Sequence, residues 1–153
     1  MKNLLNKKTL NKYSRQIVLK DVGIIGQKKI FNSKILVVGA GGLGSPVIDL
    51  LVRAGVGFLG VIEDDKVDYS NLHRQTLYDF NDVGKYKLEV IKKKIKLINN
   101  KIKLKTFKEK ANDKNLDKIL PKFDIIVDGT DNFPTKFLLN KYSLKYKKKL
   151  IIG

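Results

Sequence analysis

Apolar residues in this chain fall into short unbroken blocks, and the segments between the blocks carry helical spacing. Ile35–Val38 runs without a polar break between Lys34 and Gly39, which predicts a strand buried on both faces of a parallel sheet. From Gly44 to about Ala54, Val47, Leu50 and Leu51 keep helical spacing, and Pro46 falls in the first turn, where its missing N–H costs nothing. Gly55-Val56-Gly57 closes that helix. Phe58–Ile62 is a second predicted strand, ending in Glu63-Asp64-Asp65. Residues 66–82 show no period and read as a long loop of the kind that carries function. Leu88, Ile91, Ile95 and Ile98 predict an amphipathic helix over Val83–Asn99, and Ile102–Phe107 alternates apolar residues with Lys as a strand does. A short helix near Asn115–Leu120 stops at Pro121. Asp124–Val127 is a further buried strand, closing in Asp128-Gly129-Thr130-Asp131-Asn132. A helix follows from about Pro134 to Lys145, and Leu150–Ile152 begins one more strand.

Strand and helix alternating in this way specify an α/β fold: a Rossmann-like, doubly wound, mostly parallel sheet. Residues 1–33 read as a polar helical segment with an amphipathic piece near Val22–Phe31, and residues 34–153 as a nucleotide-binding domain. The last strand stops at Gly153, so the sheet reads as truncated at the C-terminus, the N-terminal part of a larger domain. With no cysteine, the chain can form neither a disulfide, nor a thiolate zinc site, nor a Cys nucleophile. No apolar run approaches bilayer length and no signal-peptide pattern follows Lys2, Lys7 and Lys8, so a soluble, cytoplasmic protein is expected.

The formal charge of +17 would ordinarily suggest a nucleic-acid partner. Only three of the 32 basic residues are Arg (Arg15, Arg53 and Arg74), and the lysines are spread along the chain with few aromatics between them. That is the surface an AT-rich genome imposes, and no nucleic-acid partner is expected. The same bias makes a retained Arg informative, because a planar bidentate guanidinium cannot be replaced by Lys.

Gly39-Ala40-Gly41-Gly42-Leu43-Gly44 fits the G-x-G-x-x-G pattern between a strand and a helix, where glycines allow a phosphate to approach the helix N-terminus. Glu63 lies about 20 residues beyond, where a ribose-binding acid is expected. Alone, these residues favour NAD. The string Ser70-Asn71-Leu72-His73-Arg74-Gln75 shifts the reading towards a nucleotide whose phosphates react. Asn71 and Arg74 are three apart and would face one side of a helical turn, Arg74 neutralising phosphate charge and Asn71 holding an oxygen. His73 reads as a solvated loop residue. Lys87 can reach back over a phosphate, and Asp131, just past a strand end, is a natural Mg²⁺ ligand. Asn132 would cap the next helix or touch the base, and Asp128 would only cap a turn.

Together these residues resemble the MoeB/ThiF/HesA family, which shares its adenylation domain with ubiquitin-activating enzymes. The resemblance runs from Tyr13-Ser14-Arg15-Gln16-Ile17 through Gly23, Gly26-Gln27, Val38–Pro46, Ala54–Gly57, Asp65, Ser70–Leu77 and Val83-Gly84 with Lys87, to Thr130-Asp131-Asn132-Phe133. It implies binding of ATP and Mg²⁺ and adenylation of the C-terminal glycine of a ubiquitin-like sulfur-carrier protein, for molybdopterin or thiamine synthesis. It further implies that Gly39, Gly41, Gly42 and Gly44 line the phosphate turn, that the acid at the second strand end binds ribose with Asp65 nearby, and that Ser70–Gln75 and Lys87 hold the triphosphate. Asp131 would bind the metal beside Asn132, and Arg15 would enter the partner subunit's site, implying a homodimer. The chain departs from the family at Glu63, where Asp is usual, and at Lys136 and Lys141, where Arg and Asp are usual. The family's carrier-docking strands, zinc-binding cysteine pairs and catalytic cysteine are not in these residues. A non-catalytic truncated remnant and an NAD-binding module remain as alternatives.

Overall fold

Five parallel strands, β1 (Lys34–Val38), β2 (Phe58–Ile62), β3 (Lys103–Phe107), β4 (Ile125–Asp128) and β5 (Lys149–Ile152), form one sheet in the order β3-β2-β1-β4-β5. This is the Rossmann-like arrangement expected from the sequence. The computed structural model describes residues 6–153; the first five residues of the expected N-terminal helical segment lie outside the described residues. Among the described residues, no helix is long and apolar enough to cross a membrane.

β1 shows why its sequence is a continuous apolar run. Ile35 and Val37 point into one core with Ile48 and Val52 of α4 (Gly44–Ala54) and Leu88, Ile91 and Ile95 of α5 (Lys87–Ile98). Leu36 and Val38 point into the other, with Leu116 and Ile119 of α6 (Asp113–Ile119) and Leu139 and Tyr142 of α7 (Phe133–Lys145). A strand covered on both faces has no use for alternation. Three helices precede the sheet: α1 (Lys7–Lys12), α2 (Ser14–Ile17) and α3 (Gly23–Asn32). They are tied to it by Gln27, buried and donating to Ala54 O at 3.0 Å, and by the Asn99 amide, which donates to the Tyr13 hydroxyl at 3.0 Å.

Two boundaries differ from the sequence reading. The helix expected from Val83 begins only at Lys87, because residues 83–86 fold into a turn: the Gly84 N–H donates to Val67 O at 2.8 Å, and Lys66 pairs with Tyr86. Within the expected loop 66–82, Tyr69–Asn71 and Phe80–Asp82 each form one 3-10 turn, capped by Asp68 and Asp79.

The chain winds β1-β2-β3 outward, then returns to β4 on the other side of β1. The turn after β1 and the loop after β4 therefore lie side by side at the carboxyl edge, the switch point where ligands sit in such sheets.

A candidate nucleotide-binding cleft at the switch point

The cleft at this edge has a volume of about 850 Å³, within the range of small-molecule sites. Its floor is the glycine turn. A Cβ on Gly44 would lie 1.9 Å from Gly39 O, so only glycine lets the chain fold back on itself there. The Ala40 peptide is fixed from both sides: its N–H donates to Glu63 Oε2 and its carbonyl accepts from the Tyr78 hydroxyl, both at 2.9 Å. Tyr78 is buried. That burial, followed by the charges of Glu63, Asp65 and Asp82, raises its phenol well above the usual range. Among the described residues, the N–H groups of Gly41 and Gly42 find no acceptor, which makes the turn a ready anion cradle.

Glu63 ends β2 and is 7% exposed. Besides the Ala40 N–H it accepts from Asp64 N at 2.9 Å and Asp65 N at 3.0 Å, and Lys87 Nζ lies 3.6 Å from Oε2. The acid singled out for ribose is thus also the strut that holds the glycine turn to β2. Lys87, the first residue of α5, is buried between Glu63 and Asp65, with its ammonium 3.3 Å from Asp65 Oδ2.

Of the string Ser70–Gln75, the structure brings Asn71, Arg74 and Gln75 to the cleft. Ser70, Leu72 and His73 are not among its lining residues. Ser70 bonds to Asp68, Leu72 packs partly buried against the core, and His73 is exposed beside Arg74. Arg74 donates to Ser70 O at 3.0 Å, and its aliphatic stem passes Gly42. Gln75 is 4% exposed, and its Oε1 is one of two buried side-chain atoms without a hydrogen-bond partner among the described residues. A buried orphan of this kind costs about 1–3 kcal/mol, so native sites keep one where a ligand completes it.

From the opposite wall, Asp131 lies exposed on the cleft, and Asn132 caps α7, accepting from Thr135 N at 3.0 Å. Glu109, Lys110 and Ala111, just past β3, complete the lining. They escaped the sequence reading, although following a strand's carboxyl end is itself the signal for such residues. Asp128, read as a turn cap, does bond Thr130, but it is also fully buried and paired with Lys136 at 3.4 Å. Arg15, on α2, is exposed and away from the cleft of its own chain. Glu63, Asp64 and Asp65 lie close enough together to suggest a cation site, but the backbone N–H bonds and Lys87 already occupy Glu63. A second depression, of about 970 Å³, lies around Tyr13, Phe31, Gly55 and Asn99 and has no carboxylate in its lining.

A glycine turn with free N–H groups, flanked by Arg and Lys at a sheet switch point, makes this an α/β protein with a candidate anion-binding cleft. Residues 13–153 match the ThiF family, and the chain belongs to it. The chain is 42% identical over 147 residues to the sulfur carrier protein adenylyltransferase of Thermus thermophilus, covering 96% of itself and 54% of that protein. It is 37% identical over 149 residues to the probable adenylyltransferase/sulfurtransferase MoeZ of Mycobacterium tuberculosis, covering 97% of itself and 38% of that protein. It therefore spans about half the length of these relatives, or less. Among solved structures, E. coli MccB with MccA-N7isoASN superposes with a TM-score of 0.84 at 32% identity, over 96% of this chain and 44% of that one. The E. coli tRNA N6-threonylcarbamoyladenosine dehydratase TcdA, in complex with ATP, shares the fold: TM-score 0.89, 24% identity, 96% of this chain and 60% of that one.

Proposed function

We propose that this chain carries the nucleotide half of an adenylation site. It binds ATP with Mg²⁺ and serves the adenylation of the C-terminal glycine of a ubiquitin-like sulfur-carrier protein, in molybdopterin or thiamine synthesis, with release of pyrophosphate. The observation that carries this reading is the cradle itself: the unpaired N–H groups of Gly41 and Gly42 lie with Arg74 beside Gly42 and the Nε2 donor of Gln75 beside Gly41. Lys87 lies on the same wall. Such a set is matched by a ligand with several phosphates. ATP complexes of a protein with this fold, and relatives named as adenylyltransferases, support it.

In this reading the chemistry is positioning and charge stabilisation. The carrier's carboxylate is the nucleophile, so none is required from the protein. The Gly41 and Gly42 N–H groups and the Gln75 Nε2 donor beside them hold phosphate oxygens, Arg74 and Lys87 offset the charge that develops as pyrophosphate leaves, and Glu63 and Asp65 take the ribose. The exposed Asp131 carboxylate is a hard oxygen donor on the cleft and fits Mg²⁺, which takes one or two carboxylates together with substrate phosphates. When bound, the ion neutralises the phosphates. Arg15 acts on the site of a second copy in a homodimer. The exposed Val18 and Leu19, between α2 and α3, and Ile24 and Ile25 on α3 support such an interface. The compartment we propose for the reaction is the cytoplasm.

Calorimetric titration of the chain with ATP and with NADH, each with and without Mg²⁺, tests this. ATP binding tightened by Mg²⁺, with Asp131→Asn abolishing the tightening, is the expected result. The Glu63 position also suits a nicotinamide dinucleotide, so NADH binding without ATP binding would replace this reading with that one.

A further inference from the structure

Asp128 has no surface exposure, and its carboxylate is fully engaged. Oδ1 accepts from Thr130 N at 2.9 Å and from the Thr130 hydroxyl at 2.6 Å; Oδ2 lies 3.4 Å from Lys136 Nζ. Lys136 also donates to Gly153 O at 2.9 Å, and the Gly153 N–H donates to the Asp128 carbonyl at 3.1 Å. A charge taken wholly out of water is costly unless paired and hydrogen-bonded, and a hydrophobic residue would complete a strand end more cheaply. The position of Asp128 shows what the cost secures. It lies directly beneath the turn of residues 129–132, whose outer residue is Asp131.

The other supports of that turn are distinct. The Gly129 N–H donates to Val38 O at 2.8 Å, and a Cβ at Gly129 would lie 2.9 Å from Gly39 O, so this end of the turn rests on the glycine cradle. Asn132 begins α7 by capping Thr135. Between these anchors, among the described residues, Thr130 donates both its N–H and its hydroxyl to Asp128 alone. We propose that Asp128, acting through Thr130, is the positioning residue for Asp131: it fixes the metal-side carboxylate relative to the phosphate cradle and so sets the cleft's affinity for the divalent cation. Lys136 supplies the counter-charge that holds the Asp128 carboxylate in place. The inference rests on the assignment of Asp131 to Mg²⁺.

Thr130→Val is the decisive variant, because it is isosteric, keeps the methyl group that lies near Gly39, and removes only the hydroxyl. Binding of ATP to the full chain is measured by calorimetry over a Mg²⁺ series, alongside Thr130→Ser, Asp128→Asn and Asp131→Asn. Thr130→Val is expected to raise the Mg²⁺ concentration for half-maximal tightening by about 10-fold, the low end of the effect of losing a bond made directly to a metal ligand, because this bond reaches Asp131 only through the turn. Affinity for ATP without Mg²⁺ should be unchanged, and Thr130→Ser should behave as wild type. If Asp131→Asn abolishes the tightening while Thr130→Val leaves the Mg²⁺ midpoint where it was, the positioning role is overturned and the assignment of Asp131 stands. If Asp131→Asn leaves the tightening intact, that assignment falls and the inference with it. Should Asp128→Asn not fold, Thr130→Val decides alone.

Discussion

Tyr78→Phe probes the clamp on the glycine turn. The hydroxyl donates to the Ala40 carbonyl at 2.9 Å, both residues are buried, and no other donor reaches that carbonyl among the described residues. Phenylalanine keeps the ring packed and opens no cavity, so the change isolates one hydrogen bond. An acceptor left buried and unpaired costs about 1–3 kcal/mol. At about 2 kcal/mol and about 2–4 °C per kcal/mol for a chain of this size, the melting temperature should fall by about 4–8 °C. The freed Ala40 peptide also loosens Gly41, so ATP affinity should fall as well. The phenol adds a second signature. Its folded-state pKa is raised, by burial first and then by Glu63, Asp65 and Asp82, above the unfolded value of about 10. Its contribution is therefore present below about pH 10 and is lost as pH climbs towards the folded pKa, because only the unfolded state releases the proton there. Urea titrations of both proteins at neutral pH and above pH 10 measure this. The wild-type advantage should shrink in alkali. An equal melting temperature, or an advantage that does not change with pH, would refute the clamp.

Arg74→Lys should weaken ATP binding by about 10- to 100-fold in calorimetry, since an ammonium cannot reproduce the guanidinium fork beside Gly42; unchanged affinity would undo the argument from scarce arginine. Gly44→Ala places a methyl group 1.9 Å from Gly39 O, and because the obstacle is backbone the turn must shift. We expect a loss of about 1–3 kcal/mol in urea unfolding and no measurable ATP binding. The carboxyls of Asp113 and Asp117 on α6 are held below the usual range by hydrogen bonds from Lys141 and Lys145, then from Tyr142 and Tyr146, all on α7. Lowered folded-state values mean stability that is present above about pH 4 and lost as pH falls further. Asp117→Asn should therefore melt below wild type at pH 6 and together with it at about pH 3, the gap at pH 6 narrowing in salt because the pair is exposed.

The strands were legible because burial on both faces leaves no room for polar residues: Ile35–Val38 and Ile125–Val127 could be little else. The start of α5 was not. Val83–Tyr86 continue the helical spacing, and only the tertiary bond from Gly84 to Val67 and the pairing of Lys66 with Tyr86 pull them into a turn. Asn71, Arg74 and Gln75 could be chosen from the sequence by residue type, but which members of Ser70–Gln75 face the cleft depended on the local turn set by Asp68. Tyr78 escaped because its work is done across the fold, on Ala40; Asp128 was legible as a turn cap, but its full burial and its pairing with Lys136 were not. Lys141, a departure from the family pattern, is explained by its partner Asp113, 2.8 Å away on α6, which no local pattern reveals.

The cations and amides of the cleft are already engaged to different degrees, and this bears on what the cleft selects. Asn71 is bonded to Ser70 and Asp68, Arg74 to the Ser70 carbonyl, and Lys87 to Asp65 and Glu63. A ligand must displace or share these contacts before it gains from them. Asp65 is the partner most readily given up, since its side chain is 65% exposed and can turn to water while the buried Lys87 keeps Glu63. Gln75 and the Gly41 and Gly42 N–H groups give up nothing, having no partners to lose. A single phosphate seated on the cradle would satisfy the turn N–H groups but leave Lys87 on its carboxylates. Two further phosphates add enough charge to draw Lys87 and the remaining guanidinium N–H groups of Arg74 inward. Under the proposed adenylation function, this arrangement would favour a triphosphate over a monophosphate through groups the product cannot reach together, a bias that would help release a nucleotide once its pyrophosphate has gone.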